Sequence, residues 1–153
     1  SLLTPLIRST AGLGVDLLLL HCYPFQREAA YLATVFPHVY FDVGLAINYT
    51  GPSSATVIAE AMELAPFTKV LYSSDAFGLA ELFFLGALLF RRGLASTLDA
   101  WIRSDHCSAA EAETVARLVA SDNAARVYRL PCDWLPPAQT TTPESIDFGS
   151  LIK

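Results

Sequence analysis

Three short apolar segments, each followed by a helical pattern, restrict the fold of this chain more than any other feature. The segments span residues 15–23, 39–46 and 69–74. Continuous apolar runs of this length are typical of strands that are buried on both faces of a sheet. Strands that alternate with helices predict an α/β fold with a parallel sheet, in which the crossovers are right-handed.

Helix signals follow each of these segments. Ser108 and Glu111 match a capping box, and Gly93 is expected to end a long apolar helix. From Pro131 onward the sequence is rich in Pro, Thr and Ser, which predicts an irregular C-terminal tail over residues 131–153. The predicted helices span residues 26–35, 53 or 54 to about 64, 79–91, 96–103, 108–121 and 123–128.

Composition excludes several classes of protein. Of 153 residues, 53% are apolar and 16% charged, so the chain is too hydrophobic for intrinsic disorder. A net charge of −5 argues against a nucleic-acid partner. The longest apolar stretch, residues 77–90, contains Glu81 and is shorter than the ~18 residues of a membrane span. Cys22, Cys107 and Cys132 form no metal or disulfide spacing, and no signal peptide is visible, so we expect a cytoplasmic protein with free thiols.

Two architectures fit the alternating pattern. An open doubly wound sheet predicts a glycine-rich phosphate turn, but neither GxGxxG nor GxxxxGK[ST] occurs. A complete (β/α)8 (TIM) barrel needs about 250 residues. We therefore favour about three βα units of such a barrel over residues 1–130, with a helical C-terminal extension.

Polar side chains interrupt the apolar segments where an α/β fold places its chemistry. His21 ends the first segment, Asp75 ends the third, and Asp42 lies within the second. Burying them is costly unless they are paired or bound to a ligand, and imidazole with carboxylate suits a divalent metal. His21 alone is equally a satisfied core histidine, Asp75 a helix cap, and Asp42 a supporting carboxylate. His38 precedes its strand and is expected to be structural, and His106 to be solvated.

The chain resembles the C-terminal part of metal-dependent hydrolases of the amidohydrolase superfamily. The resemblance runs from Leu2 to Leu130 and is closest to the amidohydrolase-2 branch, as in the amidohydrolase-like domain fused to glutamine-synthetase-like proteins. Its most specific parts are the His in LLHCYPF, the Asp in LYSSDAFGLAE and the ending SDNAARVYRL.

The resemblance implies a distorted barrel whose sixth, seventh and eighth strands lie in this chain. It implies a divalent metal ion, commonly zinc, with Asp75 as a ligand that also moves the proton of the attacking water. His21 would bind a second metal or hydrogen-bond the metal-bound water. The family's first-strand His-x-His pair and its fifth-strand ligand are missing, so this chain alone is expected to be inactive and need not retain the metal.

Three functions remain open from the sequence. The first is hydrolysis of an amide-type C–N bond in a small-molecule substrate, with Tyr23 and Arg27 as substrate-binding residues. The second is a decarboxylase of the same branch, in which Arg27 would bind the substrate carboxylate. The third is a non-catalytic assembly domain. In each case, three strands of a closed barrel leave two open edges, so we expect a second copy or the rest of the barrel to cover the chain.

Overall fold

The computed structural model describes residues 2–131, in which helices surround a small parallel sheet. The predicted tail therefore lies outside the described residues apart from Pro131. Short 3-10 turns occupy Gly51–Ser53 and Phe67–Lys69, and a π-helical turn occupies Leu118–Asp122. The elements in chain order are α1 (Thr4–Thr10), β1 (Leu17–Leu19), α2 (Gln26–Val35), β2 (Val39–Asp42), α3 (Ala46–Thr50), α4 (Ser54–Ala61), β3 (Val70–Leu71), α5 (Ala80–Arg103), α6 (Ala109–Arg117) and α7 (Asn123–Val127).

The sheet has the order β1-β2-β3, and both strand pairs are parallel. Leu19 is in register with Phe41, and Asp42 is in register with Leu71. The α/β class and the parallel sheet predicted from the sequence are thus confirmed. The strands are shorter than the apolar segments because the residues that follow each strand leave the ladder in turns, beginning near His21 after β1.

The two faces of the sheet have different surroundings. Val39, Phe41 and Val70 belong to the main hydrophobic core, where they lie with buried residues of α2, α4 and α5. Side chains alternate between faces along a strand, so Tyr40 and Asp42 lie on the opposite face. The second face therefore carries the buried carboxylate of Asp42.

Helix α5 corrects one prediction. It runs unbroken from Ala80 to Arg103, whereas Gly93 was expected to end it. A Cβ atom at Gly93 would lie 2.7 Å from Cδ1 of Ile58 and 3.1 Å from Cα of Ala55. The glycine therefore serves close packing of α5 against α4 and not helix termination.

The capping box at the start of α6 is confirmed. The hydroxyl of Ser108 accepts a hydrogen bond from the N–H of Glu111 at 3.3 Å, and the Glu111 carboxylate accepts from the N–H of Ser108 at 2.8 Å. The helix is shorter than predicted because the chain continues from Arg117 into the π-helical turn.

His38 joins α1 to the amino end of β2. Its Nε2 atom lies 3.1 Å from the hydroxyl of Thr10 and 3.2 Å from the carbonyl of Ile7. Ile7 is buried in the core, so this short helix closes the amino side of the sheet. The structural role expected for His38 agrees with these contacts, and His106 is exposed as expected.

The outer edge of β3 is covered by the C-terminal helical segment, residues 118–127. The N–H of Tyr72 donates to the carbonyl of Val119 at 3.1 Å. The side-chain amide of Asn123 donates to the carbonyls of Phe67 and Val70 at 2.7 and 2.8 Å. The expectation of two open edges is therefore wrong for β3, whereas β1 pairs only with β2 among the described strands.

No helix within residues 2–131 combines the length and the hydropathy that a membrane crossing would need.

Candidate functional site

The three polar residues singled out in the sequence all lie at the carboxyl edge of the sheet. Asp42 is the last residue of β2, while His21 and Asp75 lie in the segments that follow β1 and β3. Because the strands are parallel and adjacent, these segments leave the sheet on the same side. Ligands of α/β proteins bind at this edge.

Asp42 contacts one of the other two residues directly. It is 4% exposed, and its Oδ1 atom accepts hydrogen bonds from the N–H groups of His21 at 2.7 Å and Gly44 at 2.9 Å. Burial raises the pKa of Asp42, the two N–H donors and the nearby His21 oppose that rise, and the Asp75 carboxylate adds to it. The Asp42 carboxylate thus holds the backbone of His21, and the charges of His21 and Asp75 both affect its pKa.

His21 and Asp75 each adopt a left-handed backbone conformation. Their φ angles are 44° and 47°, in a region where His and Asp occur more often than most residues. The N–H of Asp75 donates to the hydroxyl of Ser73 at 3.1 Å. Non-glycine residues in this region carry strain that is concentrated at active sites and ligand sites.

The ends of β2 and β3 approach each other closely at Gly44. A Cβ atom at this position would lie 2.8 Å from the hydroxyl oxygen of Ser73 and 3.2 Å from Oδ1 of Asp42. The carbonyl of Ser74 accepts from the N–H of Leu45 and from the side-chain amide of Asn48, both at 3.1 Å. A side chain at Gly44 would separate Asp42 from the segment that carries Asp75.

A pocket of about 170 Å³ lies beside His21. Tyr23 lines it, as do Leu45, Tyr49 and Thr50, three residues that our sequence reasoning missed. The signal that could have indicated them is their position in the loop and short helix after β2, because loops at this edge carry binding residues.

Arg27 lies at a different place. Its guanidinium forms ion pairs with Glu63 at 2.8 Å and Glu60 at 3.0 Å, and it lines a separate groove with Tyr31. The structure therefore brings His21, Asp42, Asp75 and Tyr23 to one edge but does not bring Arg27 there.

Cys22 is adjacent to His21 but does not offer a reactive thiol. Its Sγ atom donates to the carbonyl of Leu19 at 3.2 Å. Burial, and secondarily the charge of Asp42, raises the pKa of Cys22 to about 12. The protonated thiol is a poor nucleophile, so Cys22 is not a candidate nucleophile at this edge.

The described residues do not complete a metal site by themselves. Within residues 2–131, no three His, Cys, Asp or Glu side chains are grouped so that they could hold a metal ion. An imidazole and a carboxylate are suitable donors for a divalent cation, but a catalytic zinc site keeps three protein ligands and a water. The donor types of His21 and Asp75 therefore suit a divalent cation, but two donors are too few to complete a catalytic zinc site.

Comparisons with known proteins agree with this description. The family model described as Amidohydrolase matches residues 5–130. Protein fluG of Emericella nidulans is 32% identical over 118 residues, a match that covers 76% of this chain and 14% of that protein. The crystal structure of a presumed metal-dependent hydrolase from Lactobacillus casei ATCC 334 superposes with a TM-score of 0.77 and 33% identity, over 84% of this chain and 33% of that one.

The chain belongs to the amidohydrolase superfamily, in the branch that this family model represents. It spans about one seventh of the length of fluG and one third of the Lactobacillus protein.

Proposed function

We propose that this chain contributes the C-terminal part of the active site of a metal-dependent amidohydrolase-like hydrolase, which uses an activated water to cleave an amide-type C–N bond in a small molecule. The observation that carries the proposal is the Asp42 carboxylate, which hydrogen-bonds the N–H of His21 at 2.7 Å and lies within the electrostatic reach of Asp75. It contacts His21 directly and lies at the same edge of the sheet as Asp75.

Each residue has a separate role in this proposal. Asp75 would be a metal ligand and would also accept the proton of the attacking water, because a carboxylate can act as a general base. His21 would be a second metal ligand or would hydrogen-bond the water, and Asp42 orients His21 through its backbone. A divalent cation, zinc in our proposal, would supply the acidity that lowers the pKa of a water toward ~7 once the ligand set is complete.

The shortage of ligands defines the state of the isolated chain. Since the described residues supply too few donors, we propose that residues 1–130 form part of a distorted (β/α)8 barrel that is inactive alone, in which further strands pair with β1 while the outer edge of β3 stays covered by residues 118–127. The rest of the barrel, or a second copy of the chain, would supply the missing ligands.

Cys22 and Cys107 are free thiols, which is the state expected in a reducing cytoplasm.

Metal analysis combined with an activity measurement tests the proposal. The full-length protein that contains this chain should hold a divalent metal and hydrolyse members of a panel of small amides. Asp75→Asn should lose both properties, whereas His38→Asn, at the opposite side of the sheet, should keep both. A protein that hydrolyses amides equally well with Asn at position 75 would contradict the assignment.

A second candidate function is a non-catalytic domain that keeps the scaffold for assembly. It is favoured by the absence of a three-ligand group within residues 2–131. In that case the full-length protein would hold no stoichiometric metal, and Asp75→Asn would change neither its assembly nor its stability by much. The same elemental analysis therefore separates the two functions.

A further inference from the structure

One wall of the pocket beside His21 is built on an energetically costly turn. Leu45 adopts φ 63° and ψ −55°, and the N–H of Ala46 donates to the carbonyl of Gly44 at 2.7 Å. This is a γ-turn of positive φ, which is rare and strained, above all for a residue with a bulky side chain. A glycine would adopt the same turn without this strain.

Hydrogen bonds on both sides hold Leu45 in the turn. Its N–H donates to the carbonyl of Ser74 at 3.1 Å, and its carbonyl accepts from the N–H groups of Asn48 and Tyr49 at 3.1 and 3.2 Å. Strained residues persist where the surroundings over-determine them. All of these contacts involve the Leu45 backbone, so they do not explain why the position carries a leucine side chain.

Leu45 is one of the residues that line the pocket. Leu45, Tyr23 and Tyr49 line it and are 40, 48 and 78% exposed, so three large apolar surfaces meet solvent at one place. The pocket measures about 170 Å³. An apolar cavity of about 150 Å³ in another protein holds one benzene ring, which sets the size of the group that fits here.

The lining also defines the charge of that group. Among the described residues that line the pocket there is no Lys, Arg, Asp or Glu, and the polar groups are those of His21, Thr50 and the two tyrosines. A charged group would lose hydration there without gaining a partner of opposite fixed charge. Tyrosine rings offer apolar faces that stack favourably on another ring.

On the basis of the proposed function, we infer that Leu45 is a specificity-determining residue and that the pocket binds a neutral, ring-sized apolar group of the substrate. The scissile bond then lies toward His21 and Asp75. The strained turn is retained because it directs the Leu45 side chain against this group, and the substrate class becomes aryl or cycloalkyl amides in preference to small aliphatic ones.

Binding of 4-fluorobenzamide to the full-length protein, followed by fluorine NMR, tests this inference. Wild type should bind the probe saturably, and an excess of acetamide should not displace it. Leu45→Gly should weaken binding about tenfold, the factor that 1.4 kcal/mol represents, while its Tm stays equal or rises because the strain is relieved. Leu64→Ala changes a leucine of comparable exposure that does not line the pocket, so it should bind the probe like wild type.

The outcomes separate this inference from the proposed function. Binding is measured without turnover and in metal-depleted protein, so a failure to detect hydrolysis leaves it interpretable. If the protein hydrolyses amides but the Leu45→Gly variant binds the probe as tightly as wild type, the pocket assignment alone is overturned. A fall in the Tm of Leu45→Gly would show that the leucine is retained for stability, and it would overturn the inference as well.

Discussion

The N–H of Tyr72 donates to the carbonyl of Val119 at 3.1 Å, so the last strand of the sheet is hydrogen-bonded to a helical turn where a further strand would otherwise lie. Asn123 completes this contact through its two hydrogen bonds to Phe67 and Val70. The arrangement makes the C-terminal helical segment a structural part of the sheet.

Asn123→Ala should destabilise the protein strongly. Asn123 is fully buried, and the substitution would leave the carbonyls of Phe67 and Val70 without their donor. We expect a loss of about 2–4 kcal/mol, since each buried unsatisfied group costs about 1–3 kcal/mol. Urea unfolding measures the loss, and Asn48→Ala, which removes the hydrogen bond to the carbonyl of Ser74, controls for the removal of one side-chain donor. A loss under about 1 kcal/mol would mean that water replaces the amide.

Gly93→Ala should also be destabilising, although alanine normally favours a helix. The new methyl group would lie 2.7 Å from Cδ1 of Ile58, a buried side chain, and 3.1 Å from the backbone Cα of Ala55, which cannot rotate away. Overpacking of this kind costs about 1–3 kcal/mol, which offsets or exceeds the gain in helix propensity of about 1 kcal/mol. Thermal unfolding measures the effect. Ser96→Ala, at an exposed site of the same helix, should leave Tm unchanged or raise it slightly, and a Tm gain in both variants would contradict close packing at Gly93.

The capping box at the start of α6 makes the stability of the protein depend on pH in a predictable direction. Hydrogen bonds from Ser108 lower the pKa of Glu111 below its ordinary 4.5, so the folded state binds this proton less tightly than the unfolded state. The ionised carboxylate therefore stabilises the fold above about pH 4.5, and this contribution is lost as pH falls through the lowered pKa. Glu111→Gln should be less stable than wild type at neutral pH, and the difference should shrink on acidification. Urea unfolding at several pH values measures the difference, and a difference that stays constant on acidification would contradict this role of Glu111.

Activity should depend on His21 and Asp75 but not on His38. In the full-length protein we expect His21→Asn to lower kcat at least ~10²-fold, the scale of a lost general base, and Asp75→Asn to abolish turnover. His38→Asn breaks the contacts to Thr10 and Ile7, so it should lower Tm while kcat is retained. Equal losses of kcat in His21→Asn and His38→Asn would show that the assay reports a loss of folded protein and not a loss of catalysis.

The isolated polypeptide should associate. Leu2, Leu6, Phe77 and Phe84 are each more than half exposed, and extensive exposed apolar surface marks interaction sites. Light scattering at micromolar concentration should show a species larger than a monomer. A monodisperse monomer would favour a self-contained domain over part of a barrel.

The sequence was sufficient for the parallel sheet and for the capping box, because apolar runs and Ser-x-x-Glu spacing are local signals. It also indicated His21, Asp42 and Asp75 through their positions at the ends of apolar segments. The burial cost expected for all three applies only to Asp42, because His21 and Asp75 are exposed in the segments that follow their strands. The sequence could not show that the helix continues through Gly93. A glycine in a helical pattern can end the helix or allow close packing, and only the contact with Ile58 in the folded protein distinguishes the two. Nor could it show the pairing of Arg27 with Glu60 and Glu63, which depends on how α2 and α4 meet.

The pocket residue Leu45 was beyond sequence reasoning for a related reason. A leucine in an apolar segment predicts a strand, and nothing local predicts a positive φ. The turn is held by local hydrogen bonds from Asn48 and Tyr49 and by one hydrogen bond to Ser74, which follows β3, so it became visible only with the tertiary structure.

The covered edge of β3 has a consequence for self-association. A sheet with two free edges can add copies at both sides and grow into a fibre, whereas here only β1 is left to pair with another chain among the described strands. Two copies that join β1 to β1 about a twofold axis use up both free edges, and the contact is closed. Val119 and Asn123 therefore block further strand pairing at β3, and association of this apolar polypeptide through its sheet edges would stop at two copies.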